Sequence, residues 1–162
     1  VGDLVAGPQL AHRGFAHGIF VAEEIAHRGR LDTAPAPVRD RDLARVTYSD
    51  PEVASVGLGE AAAREEYGDV ETLTYDLAGN GKSQILKTQG FVKLIRRVDG
   101  PVVGVHIVGS RVSELIAEAQ LITNWEALPA EVAQLIHPHP TMSEAVGEAH
   151  LALAGKPLHS HA

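Results

Sequence analysis

Apolar positions recur at two different periods along this chain, and the change of period divides it. Over the first thirty residues Ala11, Phe15, Ile19, Ala22 and Ala26 fall on one face at helical spacing, with Arg13, His17, Glu24 and Arg28 largely opposite. The pattern predicts one amphipathic helix that stops at Gly29, after basic residues in its last turn that suit the negative end of the helix dipole. Residues 33–40 read Thr-Ala-Pro-Ala-Pro-Val-Arg-Asp. Two prolines spaced by alanine do not continue a helix and favour an extended linker. The domain boundary is expected there, dividing the chain into 1–36 and 37–162.

Beyond the linker the period shortens. Arg45-Val-Thr-Tyr48 and Val53-Ala-Ser-Val56 are candidate strands around Asp50-Pro51, Glu60 to Tyr67 is a short charge-rich helix, and Val70 to Leu77 is a further strand. Phe91 to Val98 and Pro101 to Gly109 flank Asp99-Gly100, the strongest hairpin signal in the chain. The second of these runs is apolar on both faces through Val102, Val103, Val105, Ile107 and Val108, which predicts a central strand. Val112, Leu115, Ile116, Ala119 and Ile122 give an amphipathic helix over 111–125. Further helices are expected around Pro129 to Leu135 and from near Thr141 to about Ala154. Strands followed by clustered helices indicate an α+β domain with an antiparallel sheet.

Composition narrows the function classes. The chain is 44% hydrophobic and 22% charged, an ordinary balance for a globular protein. Its formal net charge of −7 disfavours a polyanion, and 4% aromatics with one tryptophan, Trp125, argue against a stacking platform for single-stranded nucleic acid. There is no cysteine, so the 162 residues hold no disulfide, thiolate zinc site, iron–sulfur cluster or redox dithiol. No apolar run approaches the roughly 18 residues of a membrane span, and Val1-Gly2-Asp3 does not read as the opening of a signal peptide, so a cytoplasmic place and no membrane partner are expected.

Three motifs invite a function and lack what it needs. Gly81-Lys82-Ser83 resembles the end of a phosphate loop, but the position that requires glycine is Asp76; a polar turn in which Gly79, Asn80 and Gly81 serve backbone geometry is the expected structure. Gly57-Leu58-Gly59-Glu60-Ala61-Ala62 fits a loose dinucleotide fingerprint, yet Glu60 sets negative charge where a pyrophosphate would sit. His137-Pro-His139 and His159-Ser-His161 have alternating spacing, but without cysteine four rigid ligands would have to come from His, Asp and Glu; no metal site is expected.

The informative stretch is His137-Pro-His-Pro-Thr-Met-Ser-Glu144. Prolines on both sides of His139 hold its imidazole on a stiff loop. Glu144 has two readings. Thr141-x-x-Glu144 is a capping box at the start of the last helix. Alternatively, Glu144 accepts the proton on one nitrogen of His139, fixing the tautomer and leaving the other nitrogen as a general base.

That stretch, with Glu148-Ala-His-Leu-Ala-Leu-Ala-Gly-Lys-Pro-Leu158 behind it, resembles the C-terminal end of the dihydrolipoamide dehydrogenases, flavin disulfide reductases of the pyridine nucleotide-disulfide oxidoreductase family. Pro51-Glu-Val-Ala-Ser-Val-Gly-Leu58, Val103-Gly-Val-His-Ile-Val-Gly109 and Asn124-Trp-Glu-Ala-Leu-Pro-Ala-Glu-Val-Ala-Gln-Leu-Ile136 extend the resemblance over essentially the whole chain. It implies an enzyme that passes electrons from dihydrolipoamide through a disulfide and FAD to NAD in 2-oxoacid dehydrogenase complexes. In such an enzyme His139 is the acid–base, Glu144 orients it, and His137 supports or packs. Residues 37–162 are implied to be the interface domain, pairing two subunits through residues 40–162, and residues 1–36 a remnant of the FAD domain. Gly2-Asp3 resembles the late flavin motif whose aspartate bonds a ribityl hydroxyl, and Leu10-Ala11-His12 the turn whose amides meet the flavin pyrimidine; the other reading of Asp3 is an exposed terminal acid. The disulfide and the NAD-binding domain are missing, so the chain alone is expected to dimerise, bind neither FAD nor NAD and catalyse nothing. A stand-alone interaction module is the alternative.

Overall fold

The computed structural model describes residues 1–30 and 34–159, with side chains up to residue 28 in the first stretch. Two compact units are present, Val1–Leu43 and the chain from Ala44 onward.

The first unit is built on one helix, α1 (Ala11–Arg30), which runs one residue past the expected stop at Gly29. A 3-10 turn at Gly2–Leu4 lies against it, the Gly2 and Gly14 backbones meeting where neither carries a Cβ. Buried Arg13 organises the unit. Its guanidinium donates to both carboxylate oxygens of Asp40 (2.6 and 3.3 Å) and to the carbonyls of Val5 (3.3 Å) and Ala6 (2.7 Å). Gly7, at φ +129°, passes so close to this pair that any Cβ would run into the guanidinium. Of the expected linker, residue 33 lies outside the described residues; 34–39 have no regular secondary structure, and Asp40–Asp42 form a 3-10 turn.

From Ala44 the elements are β1 (Arg45–Thr47), β2 (Glu52–Gly57), α2 (Glu60–Tyr67), β3 (Val70–Asp76), α3 (Gly81–Leu86), β4 (Phe91–Arg97), β5 (Val102–Gly109), α4 (Val112–Asn124), α5 (Pro129–Val132) and α6 (Glu144–Leu153). The five strands form one antiparallel sheet in the order β1-β2-β5-β4-β3, so the class is α+β as expected. Asp99-Gly100 turns β4 into β5, and β5 lies between β2 and β4.

The alternation along β4 and β5 explains why both faces are apolar. Val92, Leu94, Val105 and Ile107 join Ala54, Val56 and Tyr75 in the main core, beneath α4 over the β2–β5 half and α6 over the β3–β4 half. Ile95, the next residue after Leu94, points the other way and packs with Val70 and with Ala63 of α2. Full burial of each large aliphatic side chain stabilises the fold by roughly 1.5–3 kcal/mol. At the start of α4, Arg111 offers no side-chain cap, and Glu52 of β2 accepts the Ser113 N–H instead (3.0 Å).

Two local expectations are corrected. The polar turn at Gly79–Gly81 is a 3-10 turn (Leu77–Gly79) leading into α3, because Asn80 caps a helix there; neither Gly79 nor Gly81 has a positive φ. The last helix begins at Glu144, not near Thr141, because the Thr141 hydroxyl donates back to the Pro138 carbonyl (2.6 Å) and so does not cap forward.

Candidate functional site

α6 turns Glu144, Gly147, Glu148 and Leu151 toward a cleft of about 380 Å³, which Tyr75, the residues 79–81, His137, His139 and His159 also line. The titratable side chains lining it are histidines, carboxylates and one phenol.

His139 is 75% exposed at its side chain, and its Nδ1 stands 2.8 Å from Glu144 Oε1. A carboxylate only accepts, so Nδ1 carries the proton and Nε2 is the nitrogen available for proton transfer. The other oxygen, Oε2, accepts the Thr141 N–H at 2.7 Å. Only half of the expected capping box forms, because the Thr141 hydroxyl bonds back to Pro138; the Glu144 carboxylate orders the loop with one oxygen and the imidazole with the other. Burial alone would push the Glu144 carboxyl up, but the Thr141 N–H and the His139 imidazole together hold it below the ordinary glutamate value.

A second pair lies beside the first. His137 Nε2 stands 2.7 Å from Glu118 Oε1 on α4, with the His137 side chain only 12% exposed. The Glu118 hydrogen bond raises the His137 pKa against the opposing effect of burial, and Glu144 adds to the rise. Gly147 makes room: a Cβ there would stand 2.5 Å from His137 Nδ1. The nineteen-residue separation left Glu118 invisible to motif reading; its place on the polar side of an amphipathic helix is the only sequence signal it has.

Glu148 makes a third such contact, accepting both the His159 N–H (2.9 Å) and His159 Nδ1 (3.1 Å). Tyr75, buried, is pushed up to about 12, first by burial and then by Glu148, Glu144 and Asp76, so its phenol stays protonated. His150, on α6 and fully buried, donates Nδ1–H to the Val146 carbonyl (2.7 Å), and burial lowers its pKa.

The model of the pyridine nucleotide-disulphide oxidoreductase dimerisation domain matches residues 43–150. The chain belongs to the pyridine nucleotide-disulphide oxidoreductase family. Among curated members of that family, it is 39% identical over 161 residues to a dihydrolipoyl dehydrogenase of Bacillus subtilis and 38% identical over 162 residues to that of Geobacillus stearothermophilus. Each match takes in 98% of this chain and 33% of the relative, so the chain spans about one third of the length of the curated family members it matches. Among solved structures, LpdA from Mycobacterium tuberculosis superimposes with a TM-score of 0.82 at 26% identity, over 94% of this chain and 32% of that one. The HOCl-induced flavoprotein disulfide reductase RclA of Escherichia coli (TM-score 0.80, 20% identity, 93% and 34% covered) shares the fold.

The family's interface-domain architecture is what the resemblance implied for the second unit. Of the candidate site residues, the structure brings His139 and Glu144 into contact, while Asp3, Leu10, Ala11 and His12 belong to the first unit. Asp3 is exposed in the Gly2–Leu4 turn, and Leu10 accepts the Gly14 N–H at the start of α1. The pair His159-Ser-His161 lies partly outside the described residues, at 160 and 161. Among the described residues no group of three or more His, Asp or Glu is placed to hold a metal ion, and no helix is long and apolar enough to cross a membrane.

Proposed function

We propose that this chain is the C-terminal third of a dihydrolipoyl dehydrogenase, in which it supplies the acid–base pair His139–Glu144 and the surface that joins two subunits. The observation that carries the reading is the combination at His139: a ring pinned at Nδ1 by a carboxylate, yet 75% exposed. An imidazole held this way serves a reacting group brought from outside its own domain. Nε2 accepts the proton of a dihydrolipoamide thiol and leaves the nucleophilic thiolate; Glu144 keeps the tautomer and stabilises the imidazolium that forms.

The group brought to it is the redox disulfide of a second copy. Ile136, immediately before His137, is 98% exposed, and Trp125, Leu121 and Leu135 are also exposed; in this reading a two-fold mate covers them. FAD, when bound, carries electrons between that disulfide and NAD. The first unit fits a part of the flavin site: α1 has no acid in its first turn, and the exposed Asp3 sits on the 3-10 turn that packs against α1 at Gly14. Dihydrolipoamide would come from cytoplasmic 2-oxoacid dehydrogenase complexes. Lacking the disulfide and the nucleotide domain, the chain alone is inactive in this reading.

In a full-length enzyme carrying this sequence, His139→Gln lowers turnover of dihydrolipoamide by about 10²–10⁴-fold, the range for general acid–base catalysis, with flavin content unchanged. Near-normal turnover in that variant rejects the assignment.

A further inference from the structure

Asn80 is buried, and its side-chain amide is used at both ends. Oδ1 accepts the Ser83 N–H (2.9 Å) and faces the Ser83 hydroxyl (3.2 Å), which caps α3. Nδ2 donates to the Thr141 carbonyl at 3.1 Å, sixty-one residues further along the chain. The same Thr141 gives its N–H to Glu144 Oε2, so its peptide groups are held at both ends. A continuous path results: Asn80 holds Thr141, Thr141 holds the Glu144 carboxylate, and the carboxylate holds His139 Nδ1. The next residue, Gly81, lies beside the end of that path: a Cβ there would stand 3.7 Å from His139 Cε1, ordinary contact for a methyl group.

We propose that Asn80 is a positioning residue for His139: its amide orients the Thr141–Glu144 segment. A side chain at position 80 must accept toward α3 and donate toward Thr141 at once. Aspartate only accepts, and serine caps the helix but is too short to reach the carbonyl. The role matters for turnover only through the reading of His139 given above, but the contact is tested without catalysis.

The neutral ring of His139 bears its proton on Nδ1 in this geometry, whereas a free neutral imidazole favours Nε2. Long-range ¹H–¹⁵N correlation on the 162-residue chain at alkaline pH reads the tautomer of each histidine. The expected result is Nδ1–H for His139 in the native chain, a shift toward Nε2–H in Asn80→Asp and in Asn80→Ser, and retention in Gly81→Ala, whose added methyl makes only ordinary contact with the ring. His150, bonded to the Val146 carbonyl inside α6, stays Nδ1–H throughout and reports an intact fold. Asn80→Ser keeps a capping oxygen and covers the case in which a carboxylate against Thr141 prevents folding. An unmoved His139 tautomer in a folded Asn80 variant overturns the proposal, as does Nε2–H in the native chain. In the full-length enzyme, Asn80→Ser is expected to lower kcat by about 10-fold with KM little changed. A moved tautomer with unchanged kcat upholds the positioning role and counts against His139 as the acid–base.

Discussion

The two units of this chain are ordered by different means. From Ala44 onward, eighteen buried side chains form a continuous core between a five-stranded sheet and the helices above it. Within Val1–Leu43, a twenty-residue helix leaves Phe15 (72%), Ile19 (60%) and Ile25 (69%) exposed, and a buried arginine ties the chain together by hydrogen bonds. The difference teaches that a hydrophobic face is a demand for a partner and not a partner in itself. The second unit meets the demand internally. In the first, the polar network of Arg13 and Asp40 supplies order where apolar burial does not.

The largest effect separating the two regions should come from matched truncations. Leu94→Ala or Ile107→Ala removes a fully buried side chain and is expected to cost about 2–5 kcal/mol in urea denaturation, while Phe15→Ala on the exposed face of α1 stays within about 0.5 kcal/mol. Equal losses from the two would erase the comparison. A smaller and purely local effect is expected from Arg13→Ala. It leaves the Val5 and Ala6 carbonyls and Asp40 without their donor, at a local cost of about 1–3 kcal/mol. Amide exchange should accelerate in the first turns of α1 and around residue 40 but not in β4 or β5; faster exchange in the sheet would show the units to be one cooperative body.

The smallest effect lies inside the second unit, where two neighbouring histidines titrate with opposite sign. His150 is held below its ordinary value of 6.5 by burial, so its contribution is complete above that pH and is lost as the pH falls from there through the lower folded value. His137 is held above 6.5 by Glu118, so its contribution is complete below that pH and is lost as the pH rises through the folded value. Each slope is at most about 1.4 kcal/mol per pH unit. Denaturation midpoints followed over pH should lose the acid-side fall in His150→Leu and the alkaline-side fall in His137→Gln. Unaltered pH profiles in both variants would contradict these assignments.

How much of this could be read from the residues depends on distance along the chain. The β4–β5 hairpin follows from Asp99-Gly100 between apolar runs, and the short helix at Glu60–Tyr67 from its local pattern. The His139–Glu144 contact is legible for the same reason: five residues and two prolines confine both groups. α3 was not legible, because glycine at its first position argues against a helix and the Asn80 contact that anchors it runs to Thr141. Glu118 was invisible as a partner of His137 because two elements must first pack before the charges meet.

The sequence by itself determined the class, the hairpin, the helices with strong periodicity, and the loop that pairs an imidazole with a carboxylate, since each depends on steric and hydrogen-bonding preferences acting within one turn or one strand pair. Tertiary structure alone decided that β2 would pair with β5, that α3 would be anchored to the histidine loop, and that Gly147 would leave the space the His137 imidazole fills. Those outcomes depend on which surfaces remain to be buried after the local elements form, and the order of residues along a chain does not state that directly.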